Sequence, residues 1–493
     1  MKRTFFVIFI GIFLLLGFVP LLVLALQNLS ISFPFTPTKF MLLLQSVTLA
    51  LSVTFLTLLV GVPLGILLTK TDIKGKNIFL SLFTFPLLLP PYTLALAWSH
   101  FFTEWFFSFW GVLLVEFSLY LPLPLLATVL LLKSVPPQLE NAGRVLFSWR
   151  DVLRHITLPL LLPSLLFIAT LVFLLSFSNY AVPNFLRYNS LIVNIFVEFS
   201  AFYHYSTALA LSSLLLLFIL FLFFFEQRYR QKHSFEQSLK NFHFENKNII
   251  QLPYKKTITT FLILVIFSIT LLPLLILLFD VSSFHTYTKA FQLAQESIVR
   301  SAVYAFLGAF SISFFGFIFA YVIHTQLLYF KNLFDILTLT LFALPSTLLG
   351  LVLLLAFNHT WSNFIYTSPL ILLIAYTLKY TAVSSRIFLA NLRQIPSNIE
   401  ESGELLGILW WQRLLYILLP LLKKSFYISF VISFIFILRD TDLSMLLYTA
   451  GSETLSIKTF TLMANSPQEL ISALNLIMVF MILLPLTLLG VIL

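Results

Sequence analysis

Long apolar runs of about 20 residues, set apart by short polar breaks, fill nearly all of this 493-residue chain. A run of that length crosses the hydrocarbon core of a bilayer as a helix. In lipid a helix satisfies its own backbone hydrogen bonds, which an open strand cannot do. On this criterion spans fall near 5–26, 40–68, 78–99, 109–132, 159–181 and 205–225, then near 258–279, 297–324, 333–357, 367–389, 420–438 and 470–491. The first run follows Lys2 and Arg3 as in a signal peptide, but it exceeds the usual apolar core and no small-x-small cleavage site follows; it reads as an uncleaved span. Charged residues make up only 10% of the chain, far below the share in a water-soluble domain.

The basic residues define an orientation. Lys2, Arg3, Lys70, Lys74, Lys76, Lys133, Arg144, Arg150 and Arg154 fall on one side of the predicted spans, with Arg228 to Lys256 and Arg386 to Lys424. The other side holds little beyond Lys39, Arg187, Lys289 and Lys458. The positive-inside rule puts the basic side and both termini in the cytoplasm. Orientation accounts for the net charge of +10, and no nucleic-acid partner is expected.

Two halves repeat in parallel. Ser46 and Gly61, Lys76-Asn77 and Pro90 return 255 positions later as Ser301 and Gly316, Lys331-Asn332 and Pro345. The stretch from Glu140 to Leu158-Pro159 returns 261 positions later, from Glu401 to Leu419-Pro420. The predicted fold is an all-α polytopic membrane protein of about twelve transmembrane helices in two parallel-repeat halves. The first half covers 1–225 (core repeat 40–225) and the second 257–493 (core repeat 296–493). Residues 226–256 form a cytoplasmic basic linker, solvated or in contact with anionic lipid.

Matched polar loops stand out between spans four and five of each half. One reads ENAGRVLFSWRDVLRHITLPLLLP from Glu140, the other ESGELLGILWWQRLLYILLPLLKK from Glu401. Each carries an acid suited to the positive end of a helix, small residues that let another backbone approach, and an amphipathic segment. Pro159 and Pro420 are expected to break the surface helix and admit the next span. Such a helix suits a groove on a partner protein.

These loops resemble the EAA loop of ABC importer permeases of the type I, MetI-like fold. Glu401, Gly407, Leu419 and Pro420 match that motif, with Ser402-Gly403 in place of Ala-Ala. In the first copy Glu140, Ala142, Leu158 and Pro159 match, beside Asn141 and Gly143, but Leu146 occupies the place of the central Gly. The resemblance covers nearly the whole chain. It implies a permease subunit of the bacterial inner membrane. A periplasmic solute-binding protein would feed it, and two copies of a cytoplasmic ABC ATPase would drive it from the two loops. The permease itself would need no cofactor, ATP being bound by the partner subunit. The translocation path would run at the interface of the halves.

The fused layout looks like the iron(III) permeases, with thiamine and phosphonate relatives as alternatives. Within that resemblance Ser178, Asn179 and Tyr180 after span five, and Arg439, Asp440 and Asp442 after span eleven, are the candidates for a pathway. The competing reading is an ion pair among the latter with no solute contact. Glu116 reads as a buried, hydrogen-bonded packing residue, and Lys379 as a lysine that snorkels to the cytoplasmic face.

A twelve-helix secondary carrier of the major-facilitator kind is the rival class, faintly supported by Asp72-Ile73-Lys74-Gly75-Lys76. It has no need for paired amphipathic loops. No Gly-x-x-x-x-Gly-Lys-Ser/Thr phosphate loop, Gly-x-Ser-x-Gly elbow or His-Glu-x-x-His pair occurs, and there is no cysteine, so neither enzyme nor metal-site chemistry is expected. Charge reversal at Glu401 is predicted to uncouple the ATPase while leaving membrane insertion intact. A pull-down unaffected by changes at both Glu140 and Glu401 overturns the assignment of the loops.

Overall fold

The computed structural model describes residues 6, 8–13, 15–17, 19–20, 36–100, 102, 104–232, 250–251, 254–325, 331–449 and 451–492. Those residues are helical with no strand, as the apolar runs require. Among the described residues seven helices are long and apolar enough to cross a membrane unaided, and three more candidates are helix pairs bent within the span. The predicted span 205–225 lies within the 28-residue helix Tyr205–Lys232, and the described residues of span 5–26 are helical.

Two of the bends sit at repeated prolines. Lys76–Leu88 meets Pro91–Ser99 at 95°, and residues 336–343 meet Ser346–Phe357 at 101°. Spans 78–99 and 333–357 are therefore broken, not straight. The cause is local. Pro90 (φ −57°, ψ 136°) and Pro345 (φ −53°, ψ 137°) cap the second helix of each pair in extended conformation, and a proline also pushes the residue before it out of the helical region.

The chain forms two compact units. One contains 34–203 and 214–279. In it the helix Pro37–Lys70 packs against Pro122–Lys133, and a core of Leu64, Leu68, Phe83 and Leu125 also takes in Leu262, Ile266 and Ile269. Thr270 donates to the Leu82 carbonyl at 3.1 Å. The other unit contains 1–33, 204–213 and 280–493, and is built on the 42-residue helix Phe284–Thr325 packed against Leu370–Leu392. Here Phe6 stacks on Tyr321 at 5.1 Å, Phe9 lies edge-on to Phe314 at 5.3 Å, and Phe13 meets Phe319 at 4.8 Å. The predicted boundaries at 225 and 257 follow chain order, whereas packing houses the described part of span 5–26 with the second repeat and span 258–279 with the first.

Within each unit the repeat is visible atom by atom. The Ser46 hydroxyl accepts from the Leu191 amide at 2.8 Å, and the Ser301 hydroxyl from the Leu455 amide at 2.6 Å. Each amide opens a short helix, Leu191–Ser200 or Leu455–Leu462. A Cβ on Gly61 would lie 2.8 Å from Pro124, and one on Gly316 would lie 2.0 Å from the Ser384 hydroxyl. These glycines are where the long helix of each repeat crosses its neighbour. Small residues at such crossings let helices approach in lipid, where no hydrophobic effect draws them together.

Gly316→Ala is expected to lower the unfolding midpoint of the detergent-solubilised protein, because overpacking costs roughly 1–3 kcal/mol. Gly11→Ala, where a Cβ meets nothing within 4 Å, is the control and is expected to leave the midpoint unchanged.

Candidate functional site

The first polar loop begins with the helix Pro137–Leu146, which has Glu140 in its first turn. That carboxylate is not on the surface. Its Oε2 lies 2.6 Å from Lys70 Nζ, the two side chains are both 0% exposed, and its Oε1 accepts from the Thr157 hydroxyl at 3.1 Å. Lys70, counted above among the orienting cations, is instead a buried partner at the last residue of Pro37–Lys70. Removing one member of such a pair strands a buried charge, at a cost of about 3–5 kcal/mol.

The helix then stops at Phe147, and Ser148 caps the next one with its hydroxyl 2.6 Å from Asp151 Oδ2. Pro159 does not end the surface helix. The chain breaks twelve residues earlier, and from Trp149 it runs on through a π-helical turn, Leu153–Thr157, into Leu158–Phe177. The second loop repeats this with the π turn Leu414–Leu418 before Leu419-Pro420, although a further bend of 70° follows at Leu422. A third π turn, Phe267–Leu271, precedes Leu272-Pro273. In each case the residue before the proline donates five residues back, as Leu158 does to Leu153. The wider turn relieves the clash between a proline ring and the preceding turn.

Small residues close each loop on itself. A Cβ on Gly143 would lie 2.5 Å from Ile156, and one on Gly403 would lie 2.9 Å from the Arg413 side chain. Asn141, Ala142 and Ser402 are exposed. The side chain of Glu401 lies outside the described residues, although its backbone belongs to the helix Ser397–Leu405. That helix ends at Gly407, whose φ of +69° favours glycine, with the Ile408 amide on the Gly403 carbonyl at 3.0 Å. The first loop exits without a left-handed residue, which is why Leu146 is tolerated there. The two loops come back into register at Ser148 and Leu409, each of which caps the helix that follows.

Exposed apolar side chains crown both loops. Val145 is 81% exposed, Leu146 79% and Phe147 58%; Leu405 is 89% and Leu406 77%. Sequence reasoning centred on the acids and passed over these residues, although an apolar pair inside a polar loop was a signal available in the sequence.

The candidates after spans five and eleven occupy matching places and are largely held by the protein itself. Asn179 Nδ2 donates to the Tyr120 hydroxyl at 3.2 Å, and its Oδ1 accepts from the Val182 amide at 3.2 Å. Likewise the Tyr380 hydroxyl donates to Asp440 Oδ2, and Oδ1 accepts from the Leu443 amide at 2.9 Å. Asn179 and Asp440 thus each pin a tyrosine and the start of a short helix, Ala181–Phe185 or Asp442–Leu447. Tyr180 is buried against Phe196, and Ser178 follows the last turn of Leu158–Phe177.

Arg439 does not pair with Asp440; its guanidinium lies over the Phe436 ring at 5.6 Å. The cation beside Asp440 is Lys379, at 3.7 Å, whose ammonium also donates to Ser346. The snorkelling expected of Lys379 is therefore corrected: with a carboxylate and a hydroxyl in reach, its head stays inside. Asp442 is half-buried at the first turn of its helix. Glu116 is fully buried and accepts from Ser176, as its packing role requires.

Comparison with known proteins follows the repeat. Relatives include a candidate ferric transport system permease, FbpB 1, of Haemophilus influenzae, 26% identical over 76% of this chain and 64% of that protein. The ferric transport system permease FbpB of Actinobacillus pleuropneumoniae is 26% identical over 32% of this chain and 23% of its own length. The chain thus spans less than two thirds of either protein's length. A second Haemophilus influenzae protein, Fe(3+)-transport system permease FbpB 2, is 24% identical over 92% of this chain and 91% of that protein. The family described as binding-protein-dependent transport system inner membrane component matches twice, over residues 61–233 and 312–493, once in each half. The chain belongs to that family.

Proposed function

We propose that this protein is the membrane-spanning subunit of an ATP-driven importer. A cytoplasmic ATPase docks on each of the two loops, and a periplasmic solute-binding protein delivers the solute. The observation that carries the reading is the pair of matched loops, each ending in side chains that no water-facing loop needs: Val145, Leu146 and Phe147 in one, Leu405 and Leu406 in the other. Burying such apolar side chains against a partner is favourable, and a few side chains at the centre of a contact supply most of its energy. Glu140, being buried, shapes its loop from within and is not itself a contact. The basic residues place this face, and both termini, in the cytoplasm. ATP hydrolysis then belongs to the docked subunit.

Iron(III) is the solute this reading favours. Two relatives that overlap the chain broadly are ferric permeases by name. A molybdenum transport system permease of Escherichia coli is similar to part of the chain, which makes molybdenum the second candidate.

Leu146→Asp combined with Leu405→Asp is expected to abolish co-purification of the ATPase while the chain still inserts in the membrane; unchanged co-purification removes the loops as docking sites. Proteoliposomes carrying the full complex are expected to accumulate chelated iron(III) and not molybdate on addition of ATP. Accumulation of molybdate alone overturns the choice of solute.

A further inference from the structure

Two cations of the second repeat stand deep in the membrane. Lys379 sits on the span Leu370–Leu392, about 14 Å from one end and about 20 Å from the other at 1.5 Å per residue. A hydrocarbon core of about 30 Å puts it well inside. Tyr380 beside it donates to Asp440, which brings Arg439 to the same depth. All of these residues belong to one compact unit.

The carboxylates at this depth are engaged by the protein itself. The Asp440 side chain is 3% exposed, with the Tyr380 hydroxyl and the Leu443 amide on its two oxygens and Lys379 at 3.7 Å. Lys379 thus compensates Asp440 and is held in place by Ser346. Asp442 opens the helix Asp442–Leu447 and has a partner of its own in the protein.

Arg439 is different. It is half-buried, its guanidinium lies over the Phe436 ring at 5.6 Å, and no carboxylate of a described residue lies within ion-pair distance of it. A ring covers one face of a guanidinium and leaves its N–H donors at the rim, in a fork that fits two oxygens of an anion. A charge turned to hydrocarbon at this depth is costly, and such residues face water-filled paths.

The first repeat has no such group. Tyr120 and Tyr380 make matching bonds, so the counterparts of Lys379, Arg439 and Asp440 are Leu119, Ser178 and Asn179, none of them charged. Charge at this depth is therefore not something the fold requires.

We propose that Arg439 is a solute contact on the translocation path and that the group it takes is an anion with paired oxygens. This rests on the importer reading and narrows its solute. Iron(III) enters inside an anionic chelate, or a free oxyanion such as molybdate enters in its place; a bare ferric ion is repelled by the same charge.

The protein has no cysteine, so one introduced thiol reports the local charge without background. Phe436→Cys places it about one turn before Arg439, at a half-buried position. In membranes holding the chain alone, an anionic thiosulfonate reagent is expected to modify this thiol roughly tenfold faster than a cationic one, each rate taken relative to a free thiol in solution. Adding Arg439→Gln is expected to abolish the preference and Arg439→Lys to keep it. Equal rates with both reagents, or reaction with neither, overturn the proposal.

Transport by the full complex in proteoliposomes tells the two sources of the anion apart, with iron(III) citrate and molybdate as the probes. For whichever is carried, Arg439→Gln is expected to lower uptake about tenfold with ATPase co-purification retained, and Arg439→Lys to restore most of it. Unchanged uptake in Arg439→Gln overturns the contact. An unaltered complex that moves neither probe overturns the proposed function instead, and the reagent rates still decide the charge at Arg439.

Discussion

A peptide group in hydrocarbon has no water to turn to, and this constraint shapes nearly every element of the protein. It forces helices throughout the described residues. It also dictates how prolines are handled. Where a break is useful, as at Pro90 and Pro345, the chain turns sharply between two helices. Where the helix continues, as at Pro159 and Pro273, the turn before the ring widens and the backbone stays bonded; at Pro420 the turn widens too, but a 70° bend follows at Leu422. One residue type thus serves two ends, and the surrounding turn decides which.

Polar side chains inside the bundle follow the same economy. Asn179 and Asp440 stand at equivalent positions and do the same work, tying a tyrosine to the amide of the second residue of a short helix. The second copy adds charge, with Lys379 beside Asp440. The extra cation has a physical reason: an ionised carboxylate at low dielectric needs compensation that a neutral amide does not.

Much of this was legible in the sequence because spacing survives where side chains drift. The 255-residue offset located Ser46 with Ser301 and Gly61 with Gly316, and in the structure these pairs make equivalent contacts. Helix existence was readable from apolar length alone. The partner of Glu140 was not, because Lys70 lies 70 positions away and resembles any lysine of a basic loop. Lys379 was misjudged for a related reason, since a long side chain near a span end has two destinations and only the neighbouring Asp440 and Ser346 decide between them. The role given to Pro159 is not fulfilled because proline is a helix breaker only when the preceding turn cannot open, whereas after Pro420 the chain does bend, at Leu422, before Lys423–Arg439. The apolar crowns of the loops were in plain view, but a motif read through its acid drew attention to the residue that the fold conceals.

The placement of spans 5–26 and 258–279 has an evolutionary and practical edge. Each repeat lends its leading helix to the other: Phe6, Phe9 and Phe13 find their rings among those of 314–321, while Leu262 and Ile266 complete the core around Leu64 and Phe83. A gene split within the basic linker would therefore not release two self-sufficient products. Each fragment would carry an orphaned helix and lack the one its own core expects, so the pieces could mature only together. Continuity of the polypeptide guarantees that both arrive in equal number and in the same membrane.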